Sequence, residues 1–470
     1  MKIIIIGCGK SGFTIAKVMS EEKGIDVTVV DNDPDVFENL VESIDVIPVT
    51  GNGVNEKTLV EAGAKDADLV VSTTHADELN ILCCIMAERL GTRHSIARVR
   101  SPEYSSDYNR LWKDLGIDMI INPEQQTARE ISRLLRYPSA SEIDTFVNGR
   151  VEMVSVKASE NPEYFAGKTV AQLFNDKMGL LLAVIEREGT AIIPNGDFVF
   201  NDSDVMKILG RPSDIMNFFS NLKRKPKSQE VMVIGGGRTT RYLAELLDRH
   251  TIKTNIKIIE KDREKCEALD ESLSKINRRC LVINADGTNE DVLTTESINQ
   301  TDAFICLTDR DEENAIISLY ALRMGVKKVI TKVNYIHQNM IKNLGLGLGN
   351  IITPQNITTD IIMRFVTGLT GAVGSSIRTA HRISSGAGGA VDAIEFHVNN
   401  KAKGLGIPIK SLNLKKEILI GCIVRDSEII IPSGKSRIQA DDSVIVIAKN
   451  NEVYDFDDIL SNKAEIVRAE

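Results

Sequence analysis

A glycine-rich loop close to the start of the chain, Gly7-Cys8-Gly9-Lys10-Ser11-Gly12, limits the possible folds more than any other feature. An uninterrupted apolar run precedes it at 3–6, and a helix-like stretch follows at 13–23. A second apolar run, 25–30, ends at Asp31. A Gly-x-Gly-x-x-Gly pattern predicts a ligand site when a strand precedes it, a helix follows it and an acid comes about 20 residues later. The stretch is therefore predicted to be the first strand–helix–strand unit of a parallel sheet.

Each glycine of the loop has a separate predicted role in holding a pyrophosphate. Gly7 allows the tight turn out of the strand, Gly9 lets a phosphate approach the backbone, and Gly12 lets the helix pack close to the sheet. The helix start offers free N–H groups and the positive end of the helix dipole. Asp31 would accept hydrogen bonds from the two ribose hydroxyls. Because the two residues after it add no positive charge, NAD(H) or an adenine nucleotide such as ATP or ADP is favoured over NADP.

Composition and charge are typical of a soluble multidomain protein. With 470 residues, 42% of them hydrophobic and 26% charged, the chain should form several domains of ordinary globular type. A net charge of -9 argues against nucleic acid as a main partner. The longest apolar runs fall short of the roughly 18 residues that a membrane span requires. No C-x-x-C occurs, which indicates reduced thiols in a cytosolic protein and no metal site. The cysteines are Cys8, Cys83, Cys84, Cys266, Cys280, Cys306 and Cys422.

The segment 1–136 continues as an alternation of apolar strands and helices. Strands that are apolar throughout predict a parallel sheet covered by helices on both faces. The polar loops after the first four strands should therefore lie together at the carboxyl edge of the sheet, where ligands bind. The further predicted strands are 46–49, 69–72, 95–99 and 118–121, and the further predicted helices are 79–90, 104–115 and 124–135.

A small module of another class is predicted over 139–222. It contains short runs typical of β-strands, separated by turn signals such as Arg187-Glu188-Gly189. The basic stretch 223–229, which contains Pro226, follows it. Because this stretch lies between two patterned segments, it is interpreted as an interdomain linker rather than a nucleic-acid patch. The predicted strands of the module are 151–156, 180–186, 190–193 and 204–209.

The whole pattern then repeats, which indicates an internal duplication. A strand at 230–234 leads into a second glycine loop, Gly235-Gly236-Gly237-Arg238-Thr239-Thr240, and a strand at 255–259 ends at Glu260. Matching positions are offset by 228 at the first glycine, by 229 at the acid and by 234 at the later Asn80 and Asn314. We therefore predict an α/β protein with two Rossmann-like, doubly wound parallel sheets, each followed by a small β-rich α+β domain. The predicted domains are 1–136, 139–222, 230–368 and 389–460, with linkers at 223–229 and 369–388, the second of them Gly/Ser-rich.

With these signatures the chain resembles the TrkA-like peripheral regulatory subunits of Trk-type potassium-uptake systems, which are built from tandem RCK/KTN domains. The resemblance covers essentially the whole chain. It is carried by the first glycine loop with Asp31, by 73–80 and 96–100, and by the small-module segments 167–173 and 194–197. It implies a cytosolic protein that binds NAD(H) or adenine nucleotides. It also implies a homo-oligomer, a dimer or a tetramer ring, beneath an integral-membrane Trk-type potassium channel subunit whose activity it sets.

The resemblance further implies the residues of two nucleotide sites. In the first site the loop would hold the pyrophosphate, Thr73 and Thr74 would line the nucleotide, and Arg98 could reach the phosphates. The candidate residues of the first site are Gly7, Cys8, Gly9, Lys10, Ser11, Gly12, Asp31, Asn52, Thr73, Thr74, Asn80 and Arg98. Those of the second site are Gly235, Gly237, Arg238, Glu260, Asp286, Thr308 and Asn314.

The second site departs from the family pattern in three places. Thr240 stands where the third glycine is expected, Lys261 follows the acid Glu260, and Lys332 replaces the arginine. Helix packing or phosphate approach could therefore differ there. Such a site could bind more weakly, bind another nucleotide or bind none.

Four polar residues beside the first site each have two interpretations. His75 could face a ligand or lie solvated in a loop. Asn80 could bind the nucleotide or make a hydrogen bond at a helix start. Asp77 and Glu78 could hold a cation, or they could simply favour the dipole of the helix whose first turn they occupy.

A regulator and an enzyme are the two main hypotheses for function. As a regulator, the chain would bind a nucleotide at the strand edge and pass the resulting shift between two arrangements to a membrane partner. An NAD-dependent oxidoreductase would need an acid or base beside the nicotinamide. The six histidines form no such group, and no large substrate domain follows the nucleotide module. We therefore predict a regulator that is not an enzyme, with a soluble redox sensor as a third possibility.

Overall fold

The chain forms two compact units, which the computed structural model describes over most of its length. The first unit contains 1–132 and 226–363, and the second contains 133–225 and 364–470. The two Rossmann-like modules thus share one unit, and the two small modules share the other. No helix among the described residues is both long and apolar enough to cross a membrane. The described residues are 1–22, 24–101, 104, 109–137, 140–174, 178–222, 228–248, 253–276, 279–334, 348–370, 377–384, 391–426, 428–449, 453 and 455–461.

The first parallel sheet follows from the apolar runs of the sequence. Its strands are β1 Lys2–Ile6, β2 Asp26–Asp31, β3 Ile47–Thr50, β4 Leu69–Ser72, β5 His94–Arg98 and β6 Met119–Ile121. The helices are α1 Lys10–Ser20, α2 Val36–Ser43, α3 Glu56–Glu61, α4 Asp77–Leu90, α5 Asn109–Asp114 and α6 Pro123–Arg136. The strand order is β3-β2-β1-β4-β5-β6, and Ile6 at the end of β1 lies opposite Val30 and Ser72. The order reverses between β1 and β4, which is the point where such sheets bind ligands.

The predicted elements of this module are present, with shifts at their ends. The strand β4 has the predicted bounds, whereas α1 begins three residues early because the glycine loop turns directly into helix at Lys10. The helices α2 and α3 were not predicted. Both are short, and α3 is started by Asn55, whose side chain accepts the N–H of Lys57.

The first small module is an antiparallel sheet with short helices. Its strands are β7 Ala140–Phe146, β8 Val151–Lys157, β9 Leu180–Arg187, β10 Thr190–Ile192 and β11 Val205–Gly210. The helices are α7 Pro162–Phe165, α8 Val170–Leu173 and α9 Pro212–Leu222. The strand order is β10-β9-β11-β8-β7. The edge strand β7 was not predicted because its residues, Ala-Ser-Glu-Ile-Asp-Thr-Phe, are largely polar.

The second Rossmann-like module has the same topology as the first, as a duplication requires. Its strands are β12 Ser228–Ile234, β13 Lys253–Glu260, β14 Cys280–Asn284, β15 Ala303–Cys306, β16 Lys328–Lys332 and β17 Asn350–Ile352. The helices are α10 Arg238–Asp248, α11 Arg263–Ser274, α12 Glu290–Thr295, α13 Asp311–Arg323 and α14 Pro354–Thr370. The strand order is β14-β13-β12-β15-β16-β17. Because β12 begins at Ser228, the last two residues of the predicted linker 223–229 belong to a strand, and 223–227 lie outside the described residues.

The second small module repeats the antiparallel sheet. Its strands are β18 Ile377–Ser384, β19 Val391–His397, β20 Ile418–Arg425, β21 Glu428–Ile430 and β22 Ser443–Lys449, in the order β18-β19-β22-β20-β21. The interpretation of 369–388 as a continuous linker is wrong for β18, which pairs antiparallel with β19. The neighbouring segments 371–376 and 385–390 lie outside the described residues. The Gly/Ser-rich residues that follow β18 suggested a linker, but the hydrogen bonds of β18 to β19 make this segment a strand.

The two small sheets share one apolar core. Leu209 of the first sheet and Ile445 of the second are buried in the same cluster. At Gly421 a Cβ would lie 2.8 Å from Cδ2 of Leu209, so the packing is close. The backbone N–H of Val147 donates to Oε2 of Glu395 at 2.9 Å across the same contact. Within this unit, like sheets therefore pack against each other.

Each small module contains a buried aspartate that is paired with an arginine. Arg187 donates from Nε and Nη2 to the two oxygens of Asp204 at 2.7 and 2.8 Å. Arg425 repeats this two-bond contact with Asp442 at 2.8 and 2.9 Å. Both aspartates are fully buried. Paired hydrogen bonds from a planar guanidinium are the contact that best compensates such a charge.

Candidate nucleotide-binding sites

The first glycine loop has the geometry that its three glycines predict. Gly7 lies in the left-handed region with a φ of +93°, which a residue with a side chain rarely adopts. A Cβ on Gly12 would lie 1.9 Å from the carbonyl oxygen of Gly7, so the helix approaches the turn at backbone distance. A Cβ on Gly9 would meet nothing within 4 Å, so the backbone there is open to a ligand. The loop therefore offers a cradle that fits a pyrophosphate at the start of α1.

The acid at the end of β2 holds this loop in place. Oδ2 of Asp31 accepts the N–H of Cys8 at 2.6 Å, and Oδ1 accepts the N–H of Asp33 at 3.0 Å. The second module repeats the contact, because Oε2 of Glu260 accepts the N–H of Gly236 at 2.6 Å. An ionised carboxylate has about four acceptor positions. Each acid could therefore still accept hydroxyl groups of a ribose while it holds the loop.

Asn80 and Asn314 are buried, and they hold the sheet edge. Oδ1 of Asn80 accepts the N–H and the hydroxyl of Thr74 at 2.6 and 2.7 Å. Its Nδ2 donates to the carbonyl oxygens of Thr74 and Arg98 at 3.2 and 2.8 Å. Asn314 makes the matching bonds to Thr308 and Lys332. These amides connect the ends of two strands within each module, and their contact with a nucleotide stays a prediction.

Arg98 stands beside the glycine loop. Its Nη1 donates to Oγ of Ser11 at 3.1 Å, at the start of α1. Its Nε is buried and has no hydrogen-bond partner. Burial lowers the pKa of the guanidinium, with the nearby charge of Arg100 as the next cause. A partly desolvated cation with an unused N–H, next to a helix start, is suited to an anionic ligand.

Two lysines near the second loop are already paired with acids. Nζ of Lys332 lies 2.8 Å from Oδ1 of Asp309, and Nζ of Lys261 lies 2.7 Å from Oδ2 of Asp286. The hydrogen bonds from Lys261 and Thr288 lower the pKa of Asp286 to about 2. The charges of these two lysines are thus compensated within the module, whereas Arg238 in the loop itself is exposed.

A cavity of about 230 Å³ adjoins the first loop and reaches the second Rossmann-like module. From the first module it is lined by Cys8, Gly9, Lys10, Phe13 and Thr14, and from the second by Asn334 and Gln355. The last two were not predicted. The only available signal was the duplication, which aligns them with Arg100 and Glu124 near the first site.

Tyr242 occupies the place in the second module that Thr14 has in the first. Its hydroxyl accepts Nδ2 of Asn122 at 3.0 Å and donates to the carbonyl oxygen of Arg100 at 3.4 Å. Tyr242 is buried. A large side chain therefore bridges the two modules at this corner, whereas the small Thr14 borders the cavity.

Other predicted polar residues shape loops. Oδ1 of Asn52 accepts the N–H of Val54 at 3.1 Å within its own turn. Oδ2 of Asp77 accepts the N–H groups of Arg100 and Ser101, while His75 is exposed. No group of acidic, histidine or cysteine side chains that could hold a metal occurs among the described residues. Asp77 lies in the first turn of α4, where the dipole interpretation places it, and it also holds the backbone at 100–101.

The thiol within the first loop, that of Cys8, is not activated. Burial, with the charge of Asp31 as a second cause, raises the pKa of Cys8 to about 11. Burial likewise raises the pKa of Cys83 to about 11 and that of Cys306 to about 12. Since the thiolate is the reactive form, these thiols offer no nucleophile at neutral pH.

Two Rossmann-type modules with matching glycine loops, each followed by a small antiparallel module, define a tandem-repeat protein. Comparison with protein families gives a match for each of the four modules. The TrkA-N domain matches 3–123 and 231–354, and the TrkA-C domain matches 153–223 and 393–461. The chain belongs to the TrkA family, which confirms the resemblance and the predicted repeat.

Curated relatives match over nearly the whole chain. The Trk system potassium uptake protein TrkA homolog of Archaeoglobus fulgidus is 31% identical over 460 residues, which cover 98% of this chain and 100% of the relative. The Trk system potassium uptake protein TrkA of Vibrio alginolyticus is 31% identical over 462 residues, 96% of each chain. These are names of potassium-uptake proteins and not of enzymes, which confirms the prediction against an oxidoreductase.

Solved structures with the same fold include domains of a channel. The match with the GsuK RCK domain covers 96% of this chain and 92% of the GsuK chain, with a TM-score of 0.60 and 17% identity. The GsuK channel bound to NAD covers 96% of this chain and 77% of its own, with a TM-score of 0.60 and 16% identity. These similarities confirm the predicted fold of two Rossmann-like modules with small companions.

Proposed function

We propose that the chain is a cytosolic regulatory subunit that binds NAD(H), or ATP or ADP, and sets the activity of an integral-membrane Trk-type potassium-uptake subunit. It would lie at the inner face of the cell membrane through that partner, as a dimer or a tetramer ring. The names of the relatives support a role in potassium uptake. The NAD-bound GsuK channel, which shares the fold, is in keeping with the choice of ligand.

The observation that carries this proposal is the unused N–H of Arg98 beside an open glycine loop. Gly9 leaves the backbone accessible, and Arg98 reaches Ser11 at the helix start. A pyrophosphate in this place would supply the acceptor that Nε of Arg98 lacks in the protein. We therefore assign nucleotide binding to the loop 7–12, with Asp31 for the ribose and Arg98 for the phosphates.

Binding would act through the contact between the two Rossmann-like modules. The first loop borders a cavity whose opposite wall belongs to the second module. A nucleotide bound there would favour the arrangement of modules that contacts it best. Such a ligand shifts an equilibrium only by its difference in affinity for the two states, typically about 1–3 kcal/mol. That difference is what the membrane partner would sense.

The second site is proposed to bind nucleotide more weakly. Its lysines are held by Asp309 and Asp286, so a phosphate would have to compete with carboxylates already in place. Gly235, Gly237, Arg238 and Glu260 keep the form of a loop and its acid. We therefore expect one strong site and one weak site in each chain.

Calorimetric titration of the full chain with NADH tests the proposal. Asp31→Ala removes the proposed ribose acceptor and should weaken binding roughly 10- to 100-fold, as expected for lost bonds to a charged group. The matched control is Asp66→Ala, which removes an exposed acid of the same module away from the site. Equal affinities of the wild type and Asp31→Ala would refute nucleotide binding at the first loop.

A further inference from the structure

One residue that lines the cavity beside the first loop has a hydrogen-bond acceptor that the protein leaves unsatisfied. Gln355 lines this cavity, and its Oε1 is buried without a hydrogen-bond partner. Most buried polar atoms are satisfied, because an unpaired one carries a free-energy penalty. A ligand that brought a donor to this position would remove the penalty.

A chain of hydrogen bonds determines which way the Gln355 amide points. Oδ1 of Asp311 accepts Nδ2 of Asn334 at 2.9 Å, and a carboxylate can only accept. The other amide atom of Asn334, Oδ1, must therefore accept, and it receives Nε2 of Gln355 at 2.9 Å. Reversal of either amide would place two acceptors or two donors together. Oε1 of Gln355 is consequently fixed as the atom that remains without a partner.

The opposite corner of the same unit has charged residues at the matching positions. The duplication aligns Asn334 with Arg100 and Gln355 with Glu124, so the neutral amides are replaced by charged groups. The hydroxyl of Tyr242 contacts Asn122 and the backbone of Arg100 there. Oε2 of Glu124 is also buried without a hydrogen-bond partner. An unsatisfied acceptor therefore recurs at the second site as a carboxylate oxygen, and only the neutral amide is confined to the first site.

We propose that Gln355 makes the first site select NAD(H) over ATP, because its Oε1 accepts a hydrogen bond from the nucleoside beyond the pyrophosphate. This inference rests on the proposed binding of a nucleotide at the first loop. The second nucleoside of NAD(H) carries hydroxyl and carboxamide donors. The terminal phosphate of ATP presents acceptor oxygens, which an acceptor repels, and ADP carries neither group. Because Gln355 belongs to the second module, bound NAD(H) contacts both modules and favours the arrangement in which both contacts are made.

The test compares NADH, ADP and ATP in calorimetric titrations of the full chain. Gln355→Met keeps the length of the side chain and removes the acceptor. NADH should bind roughly 5- to 30-fold more weakly, the value of one lost hydrogen bond. The affinity for ADP should change less than about twofold, because ADP lacks the second nucleoside that would donate to Oε1. Unchanged ADP binding would also show that the glycine loop is intact. ATP should bind equally or more tightly.

A second variant tests the same inference by filling the cavity. Thr14→Tyr gives the first module the residue that the second has at Tyr242, and it should fill the cavity. NADH binding should weaken while ADP binding is retained. The inference is overturned if Gln355→Met leaves NADH unchanged, or if NADH and ADP weaken alike. If Asp31→Ala does not weaken either ligand, the proposed function itself fails, and the inference fails with it.

Discussion

The hydroxyl of Thr240 donates a hydrogen bond to the carbonyl oxygen of Gly235 at 2.5 Å. In the first module the matching carbonyl, that of Gly7, receives its hydrogen bond from Thr73 at 3.0 Å. Leu307 stands at the place of Thr73 and has no hydroxyl to offer. The carbonyl group of this turn thus receives its hydrogen bond from the following helix in the second module and from the residue after β4 in the first. The loss of the third glycine in the second loop is matched by the loss of the threonine that faced it.

Because Thr73 occupies the space beside the turn, the first loop requires a glycine at position 12. Gly12→Ala would place a Cβ 1.9 Å from a backbone oxygen and 2.9 Å from Oγ1 of Thr73, so the helix must move away from the turn. We expect a destabilisation of about 2–4 kcal/mol and the loss of NADH binding. Thermal melting and calorimetric titration measure the two effects.

Gly9→Ala is the matched control for this change. Its new Cβ meets nothing within 4 Å, so the melting temperature should stay near that of the wild type. NADH binding should still weaken, because the methyl group covers the backbone that a phosphate approaches. A Gly12→Ala protein that melts and binds like the wild type would show that the close approach is not required.

The second site should gain affinity when its ion pair is removed. Asp309→Asn frees Lys332, whose hydrogen bond and charge lower the pKa of Asp309. We expect ADP to bind the second site about 2- to 5-fold more tightly at low salt, the scale of one exposed ion pair. Titrations in the Asp31→Ala background isolate this site. An unchanged affinity at low salt would mean that Asp309 does not mask the site.

The buried carboxylates of the small modules should matter for stability. Arg187→Met leaves Asp204, fully buried, without its guanidinium, and should cost about 3 kcal/mol. Arg263→Met breaks an exposed pair with Glu267 and should cost less than about 0.5 kcal/mol. Urea unfolding of both variants gives the comparison. Equal losses would contradict the importance of burial.

The stability of the small-module unit should fall as the pH rises through the titration of Asp144. Burial raises the pKa of Asp144 to about 6, Lys207 opposes this shift and Glu142 adds to it, while Nδ1 of His381 lies 3.5 Å from the carboxylate. The folded chain therefore binds this proton more tightly than the unfolded chain. The resulting stabilisation, about 2–3 kcal/mol, is complete below about pH 4 and is lost as the pH rises to about 6.

Asp144→Asn tests this pH dependence because it removes the titrating group. Melting temperatures of the wild type and the variant, measured from pH 4 to pH 7, should differ with a slope between pH 4 and pH 6. Above that range the difference should be constant. Parallel curves over the whole range would show that Asp144 does not carry the effect.

The glycine loops could be predicted because their requirements are local. Gly7 and Gly12 lie within one turn and its helix, and the repeat at Gly235 confirmed that the pattern was not accidental. The parallel sheets were predictable for the same reason, since buried strands of this kind are apolar throughout. The edge strands β7 and β18 were missed because their residues are largely polar and only pairing with a neighbour makes them strands.

The contacts between modules could not be predicted from the sequence. Gln355 and Asn334 lie far along the chain from the first loop, and only the folded unit brings them to its cavity. Asn80 had two interpretations in the sequence, a nucleotide contact or a hydrogen bond at a helix start, and the fold shows that its amide bonds to Thr74 and to the backbone of Arg98. Side chains of this kind reveal their partners only once the strand ends are placed.

Potassium uptake through the membrane partner is the most direct test of the proposed regulation. The measurement compares membrane vesicles that contain the partner alone, the partner with the wild-type chain, and the partner with Asp31→Ala, each with and without NADH. We predict that the wild-type chain changes the potassium flux, that NADH alters this effect, and that Asp31→Ala abolishes the response to NADH. A flux that is the same with and without the chain, at every nucleotide concentration, would contradict a regulatory role.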